Sequence, residues 1–307
     1  MPTVSVVVPT CGRPHDLAEC LDAIERLDPR PLEVIVVDSA PRDTKTRELA
    51  AQRGVRYVSE VRAGAARARN RGAQAARGDI VAFTDDDAVP EPGWLAALLP
   101  EFDDPRVALV TGFVAPPRAE EDTKDAALAE LYELSGFTGL GSERIVLDRD
   151  TPDWFPRANF RPFGIAPNLA IRRSALERWE GFDVRLGPGT PVPGHEEQRA
   201  FHELIELGYR IVYQPAARVV HPSSPRTPAA LQRRALLRMQ ASSAYLMLLL
   251  CEEPRHRREV FAHMFGKLRP ANGAEHNPVP LARWRRIAAR LSGLLLYFRA
   301  RAGSRSS

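Results

Sequence analysis

The sequence predicts an α/β fold, a mostly parallel central sheet flanked by helices, with a helical extension at the C-terminus. Three observations carry that expectation. Short β-branched or apolar runs alternate with helix-spaced segments from Val4 to Thr111, which is the pattern of βαβ units. Three consecutive carboxylates, Asp85-Asp86-Asp87, follow one residue after the apolar run Ile80-Val81-Ala82-Phe83, where a buried strand would reach the carboxyl edge of its sheet. After Pro225 the chain changes to long, arginine-rich helical stretches.

The elements follow in order. Val4 to Val8 is a β-branched run ending at Pro9-Thr10, a buried strand. His15 to Leu27 has helical spacing through Leu17, Leu21 and Ile24, and Leu32 to Val37 is a second strand ending at Asp38. Thr44 to Arg53 reads as a helix, Val55 to Val58 as a third strand, and Ala65 to Ala76 as an Ala/Arg-rich helix before the strand Ile80 to Phe83. Trp94 to Phe102 is the next helix and Val107 to Thr111 the next strand. From Ala115 to Phe160 periodicity weakens and charge rises, the pattern of an inserted segment. Gly164 to Ile171 reads as a strand, Ser174 to Arg178 as a short helix, and Gly181-Phe182-Asp183 as a turn. Leu186 to Gly194 is rich in Gly and Pro and reads as a loop. Glu196 to Leu207 is a helix stopped by Gly208. Arg210 to Tyr213 and Ala217 to His221 are short strands, and Ser223 to Pro228 is a linker. Helical stretches run from about Ala229 to Phe265 and from Leu281 to Ala302. The expected division is one α/β domain over 1–224 and a basic helical extension over 225–307.

The composition, 44% hydrophobic and 27% charged, is that of a soluble globular protein. The longest apolar runs, Ala244 to Cys251 and Leu294 to Phe298, fall short of the roughly 18 residues of a membrane span. No signal peptide is visible at the N-terminus, and the three cysteines fit neither a disulfide framework nor a zinc spacing. Reduced thiols and a cytoplasmic location are the expectation. Charge is unevenly spread: Pro225 to Ser307 holds 16 Lys and Arg against 4 Asp and Glu, a balance of +12, so a whole-chain charge of +4 leaves the body at −8. In the last helical stretch Leu281, Trp284, Ala288, Leu291, Leu295 and Phe298 form an apolar stripe beside Arg283, Arg286 and Arg290. That stripe reads either as a face packed on the domain or on a second copy, or as a peripheral membrane contact. The basic tail has no recognised nucleic-acid module.

Adjacent carboxylates at a strand end repel and raise each other's pKa, and a divalent cation removes the conflict. Hard cations such as Mg²⁺ or Mn²⁺ prefer carboxylate oxygen. A helix cap would need one Asp, and this turn has three. After the first strand stands Thr10-Cys11-Gly12-Arg13, with no G-x-G-x-x-G, and no G-x-x-x-x-G-K-[ST] occurs. A Rossmann dinucleotide site and a P-loop are therefore not expected.

Five stretches occur in order: Val4 to Thr10, Val36-Val37-Asp38, Ala68-Arg69-Asn70-Arg71-Gly72, Gly78 to Asp87, and Gly208 to Tyr213. Together, over about Pro2 to His221, the chain resembles glycosyltransferase family 2, inverting enzymes of the GT-A fold. The resemblance implies a nucleotide-sugar donor, UDP- or dTDP-linked, a divalent metal, and transfer to an acceptor hydroxyl. It implies Asp87 as a metal ligand, Asp85 as a metal or ribose contact with Asp86 beside it, and His221 as a further ligand. It implies Asp38 for the nucleoside and Thr10, Arg13 and Arg69 as lining of the nucleotide pocket. In Gly194-His195-Glu196-Glu197-Gln198 it implies Glu197 as the general base, with Glu196 the runner-up.

The chain departs from the family pattern at Arg199 and Glu203, where the expected charges stand exchanged. A binding protein that has lost turnover, and a nucleotidyltransferase of related fold, are the competing readings. Asn168 lies in a stretch resembling the family's acceptor-side strand, and Trp154 and Trp179 could stack on sugar faces or pack in the core. The acceptor is left open among a glycan, a lipid-linked molecule and a small molecule.

Overall fold

The computed structural model describes residues 1–115, 140–221, 228–266 and 281–304. The chain divides into two compact units. The first is Met1–Phe182 with Glu197–Ser223. The second takes the C-terminal residues from Ser224 onward and also the segment Asp183–Glu196, which in sequence lies inside the first.

The first unit is built on one nine-stranded sheet. Its strands are β1 (Val4–Thr10), β2 (Glu33–Ser39), β3 (Arg56–Glu60), β4 (Ile80–Phe83), β5 (Val89–Pro90), β6 (Val107–Ala115), β7 (Ile145–Leu147), β8 (Leu169–Arg172) and β9 (Arg210–Val220). The order is β3-β2-β1-β4-β8-β6-β9-β5, with β7 also on β9. Strands β3, β2, β1, β4, β6 and β9 all run one way, and β8 enters the middle reversed. The sheet is therefore mostly parallel, as the alternation of strands and helices requires.

Alternate strand residues feed two cores. Val6 and Val8 point to one face, with Leu17, Leu21 and Ile24 of α1 (Pro14–Ile24) and Trp94 of α4 (Trp94–Leu98). Val7 and Phe83 point to the other, with Ala66 and Ala68 of α3 (Ala65–Ala75) and with Phe201 and Leu204. Helix α2 (Lys45–Gln52) lies between β2 and β3 in the chain. The small residues of α3 let it sit close on the sheet. A Cβ placed on Gly72 would lie 2.3 Å from Val7 Cγ1.

Several elements differ from the sequence expectation, each for a local reason. The two short strands expected after Arg210 are one strand, because β6 pairs with both halves across a register shift. Pro215, which has no N–H to give the ladder, stands where the pairing skips from Gln214 to Arg218. The strand expected at Gly164 starts only at Leu169, after a 3₁₀ turn, Ala166–Asn168. The helix expected over Trp94 to Phe102 is α-helical to Leu98 and then 3₁₀ over Leu99–Asp103. Within the weakly periodic segment, β7 and α5 (Trp154–Phe160) were not expected, and residues 116–139 lie outside the described residues. Of the linker expected at Ser223 to Pro228, only Pro228 is described. Helix α6 (Glu196–Glu206) follows the Gly/Pro loop.

In the second unit the first helical stretch is two helices, α7 (Pro228–Glu252) and α8 (Arg257–Met264), separated at Pro254. The last stretch is α9 (Arg283–Ser304). Ala289, Tyr297 and Ala300 are its buried residues, and a Cβ on Gly293 would meet Gln240 O of α7 at 2.3 Å. The apolar stripe nominated by spacing is not the packed face: Trp284, Leu291, Leu295 and Phe298 stand exposed. The Ala/Gly seam allows closer backbone approach than the large side chains would. Among the described residues no helix is long and apolar enough to cross a membrane.

Candidate active site

Strand register brings the candidate residues to one edge of the sheet. Thr10 lies opposite Asp38 where β1 and β2 end, and Val7 lies opposite Phe83. Asp85, Asp86 and Asp87 leave β4 just beyond that point, beside Thr10. The three carboxylates then take three different environments.

Asp86 is wholly buried. Its Oδ2 accepts from Thr10 Oγ1 at 2.7 Å, and its Oδ1 pairs with the Arg13 guanidinium at 2.5 Å. Burial pushes its pKa up to about 6, against the pull of Arg13 and the Thr10 hydroxyl, while Asp87 and Asp85 raise it further. Expected among the nucleotide contacts, Asp86 has its surface taken up by Thr10 and Arg13, which it anchors. Arg13 also reaches Asp87 Oδ2 at 2.6 Å and leaves 46% of its side chain exposed. Asp85 Oδ1 accepts from Arg69 at 3.0 Å, and Arg69 is 2% exposed. The Arg69 guanidinium lies 5.9 Å from the Phe182 ring centroid.

Asp87 Oδ1 lies 3.3 Å from His221 Nε2 at the end of β9. Asp85, Asp87 and His221 each offer one ligand atom, and these atoms lie within 4.8 Å of one another. Two carboxylates and one imidazole, each partly exposed, form a donor set that fits Mn²⁺ or Mg²⁺. Asp38 is buried and accepts from Tyr57 OH at 3.1 Å. Burial raises its pKa and the tyrosine bond opposes that rise.

The two glutamates of α6 separate. Glu197 Oε1 accepts from Ala166 N at 2.9 Å. Ala166 opens the turn into β8, and Leu169 of β8 lies opposite Phe83, so Glu197 stands at the same sheet edge as Asp85. Glu196 is buried against its own loop, where a Cβ on Gly187 would come within 2.9 Å of its carboxyl group.

The exchanged charges pair with each other. Arg199 Nε lies 2.6 Å from Glu203 Oε1 in an ion pair, and Glu203 Oε2 accepts from Trp179 Nε1 at 2.8 Å. Trp179 is thus a core residue, also edge-on to Phe182, and Trp154 packs on Phe155 and His202. Asn168 is fully buried. It accepts from Trp94 Nε1 at 2.8 Å and donates to Phe113 O and Ala217 O at 2.9 and 2.8 Å. Its amide ties α4, β6 and β9 together, a structural task that its place in the sequence does not reveal.

Sequence reasoning also missed what holds the turn before α6. His195 has a left-handed backbone, φ 70°. Its ring stacks on Tyr245 at 4.8 Å, and its Nε2 lies 3.0 Å from Ser242 Oγ. Burial, helped by Arg238, lowers its pKa to about 4. The Arg185 fork donates to both oxygens of Asp183 and both of Glu252, at 2.6–3.0 Å. A histidine beside two glutamates, and an arginine next to a Gly/Pro loop, were the signals available.

A profile described as Glycosyl transferase family 2 matches residues 5–179. The chain is 35% identical over 159 residues to a pre-mycofactocin glycosyltransferase of Mycobacterium tuberculosis, which takes in 52% of this chain and 30% of that protein. It thus spans less than a third of that relative's length. It is 26% identical over 233 residues to the glycosyltransferase AglE of Haloferax volcanii, covering 73% of this chain and 68% of that protein. Among solved structures, a mannosyltransferase from Pyrobaculum calidifontis in complex with GDP-Man and Mn²⁺ aligns with a TM-score of 0.59. The identity is 22%, covering 98% of this chain and 75% of the other, and the likeness speaks for the GT-A fold.

Proposed function

The chain belongs to glycosyl transferase family 2, and on that premise we propose that it moves a sugar from a nucleoside-diphosphate sugar to an acceptor hydroxyl with inversion at the anomeric carbon. The observation that carries this reading is the gathering of Asp85, Asp87 and His221 at the carboxyl edge of the sheet, with Arg13 alongside. A divalent metal held by these three would act as a Lewis acid on the leaving diphosphate.

The protein's own groups do the rest. Arg13, held by Asp86 and Asp87 and open to solvent, presents a guanidinium edge to phosphate oxygens. Arg69 fixes Asp85 at the pocket wall. Asp38, oriented by Tyr57, accepts from a nucleobase N–H or a ribose hydroxyl. Glu197, steadied by Ala166 N–H, takes the proton of the acceptor hydroxyl. As that oxygen bonds to the anomeric carbon, the bond from carbon to the diphosphate breaks on the opposite side. Glu196, enclosed by its own loop, is the weaker candidate for this role. Arg199 and Glu203, the exchanged charges, have each other as ion-pair partners.

The test is a calorimetric titration with UDP, dTDP and GDP, each with and without Mn²⁺, beside the Asp87→Ala variant. GDP is included because the Pyrobaculum neighbour was solved with GDP-Man. Metal-dependent binding of one nucleotide, lost in the variant, is expected. Failure of all three to bind in any metal condition overturns the reading.

A further inference from the structure

We propose that α9 lies flat on an anionic lipid surface, with its exposed apolar stripe in the interface and its arginines on the headgroups. Trp284, Ile287, Leu291, Leu295 and Phe298 are 49–70% exposed. At about 100° per residue they fall within an arc of about 80°. The packed residues Ala289, Gly293, Tyr297 and Ala300 occupy the opposite side of the helix, so the stripe faces away from α7. Arg283, Arg290 and Arg301 border the stripe on one side, and Arg285 and Arg299 on the other. From Leu281 to the end of the chain there is no Asp or Glu.

That arrangement selects its occupant by charge and shape. A continuous row of large apolar side chains, with aromatic residues at both ends and long cationic side chains on both flanks, matches the depth profile of a headgroup–acyl boundary. The arginines reach phosphates while their stems and the stripe enter the apolar layer. A second copy fits worse: a two-fold contact centred on α9 would set arginine flank against arginine flank with no carboxylate on the helix to relieve it. Nucleic acid would meet the arginines but leave the row of Leu, Ile, Trp and Phe against polar groups. Among the described residues no helix is long and apolar enough to cross a membrane, and the arginines along α9 suit it to lying on the surface.

The same unit exposes a second cluster of this kind. In and after α8, Phe261, Met264 and Phe265 are exposed while Val260 faces inward, and Arg255, Arg257 and Arg258 stand beside them in the chain. Phe261 and Phe265 stack at 6.4 Å, an i, i+4 aromatic pair.

The experiment is flotation of the full chain with vesicles of phosphatidylcholine alone and of phosphatidylcholine with phosphatidylglycerol, read together with Trp284 emission. The protein is expected to float with the anionic vesicles, to do so weakly with the neutral ones, and to detach as salt rises. A blue shift on anionic vesicles, absent in Trp284→Phe, would place that residue in the interface. Leu291→Glu with Leu295→Glu should lower vesicle binding at least about tenfold while leaving the circular dichroism and the oligomeric state unchanged. No flotation with anionic vesicles overturns the proposal. So does a dimer in lipid-free solution that the double variant dissociates, since a second copy would then cover the stripe.

Discussion

Two regions of this protein are built on opposite principles. The sheet-edge site gathers Thr10, Arg13, Arg69, Asp85, Asp86, Asp87 and His221 through charge on charge, with three carboxylates facing two guanidinium groups and one imidazole. The turn before α6 is held by one stacked histidine and one arginine fork, both anchored on α7. The first region is a rigid electrostatic cradle on strand ends. The second is a loop fastened to a helix that the chain makes only later. A substitution in the cradle should remove a chemical function, whereas one in the fastening should shift geometry or stability and leave the ligand site intact.

Asp87→Ala tests the cradle with the largest expected effect. It removes a carboxylate shared by Arg13 and His221 and by the candidate metal set. Turnover should fall by about 10³-fold or more, with loss of Mn²⁺-dependent nucleotide binding. Steady-state rates and calorimetry on the same preparation check this. Retained metal-dependent binding would move the ligand role elsewhere.

Glu197→Gln comes next, with turnover down about 10²- to 10³-fold and nucleotide affinity unchanged. Glu196→Gln should be milder. If Glu196→Gln were the inactive variant, the base would belong to the loop, and the contrast between the two regions would be redrawn around it.

His195 gives the fastening a pH signature. Its folded pKa, about 4, lies below its unfolded value of about 6.5, so it is buried neutral and protonation favours the unfolded chain. Stability is complete above about pH 6.5 and is lost as pH falls towards 4, by up to about 3 kcal/mol. Thermal midpoints from pH 7 to 4 should drop more steeply for the wild type than for His195→Phe, which keeps a ring on Tyr245. Parallel slopes would mean that this histidine is not what titrates.

The contrast also explains what could be read from the sequence. The cradle was legible because each part sits at or beside a strand end: Thr10 closing β1 and Arg13 after it, Asp38 one residue from the end of β2, the aspartates after β4, and His221 after β9. Parallel pairing then leaves few choices about which ends meet. The fastening was not legible, because nothing local to Arg185 or His195 points to Glu252 or Tyr245, some 50 to 67 residues away. The face of α9 that packs was not legible from spacing for a related reason. Periodicity identifies apolar residues, but the Ala/Gly seam at Ala289, Gly293 and Ala300 wins the contact by close approach. Asn168 shows the same limit, since a buried amide serving three elements looks in sequence like any polar residue beside a proline.

The smallest expected effect is the most direct probe of the fastening. Arg185 joins Asp183 to Glu252 through two bidentate contacts, and Tyr297 OH donates to the same Glu252 at 3.2 Å. Arg185→Ala leaves two carboxylates without their shared cation, and should cost about 1–3 kcal/mol of stability. Arg185→Lys keeps the charge but loses the planar fork, and should fall between the two. Nucleotide affinity should stay within about twofold of wild type, because the cradle contains none of these groups. Turnover should fall several-fold, since the loop leading into Glu197 loses an anchor while the base remains. The double variant Arg185→Ala with Glu252→Ala should recover part of the stability, because it removes the unpaired carboxylate left by the single change. It should not recover the rate, because the tie itself is still gone. A rate that recovers with stability would mean that the loop needs only relief from a buried charge, and the C-terminal helices would then have no positioning role.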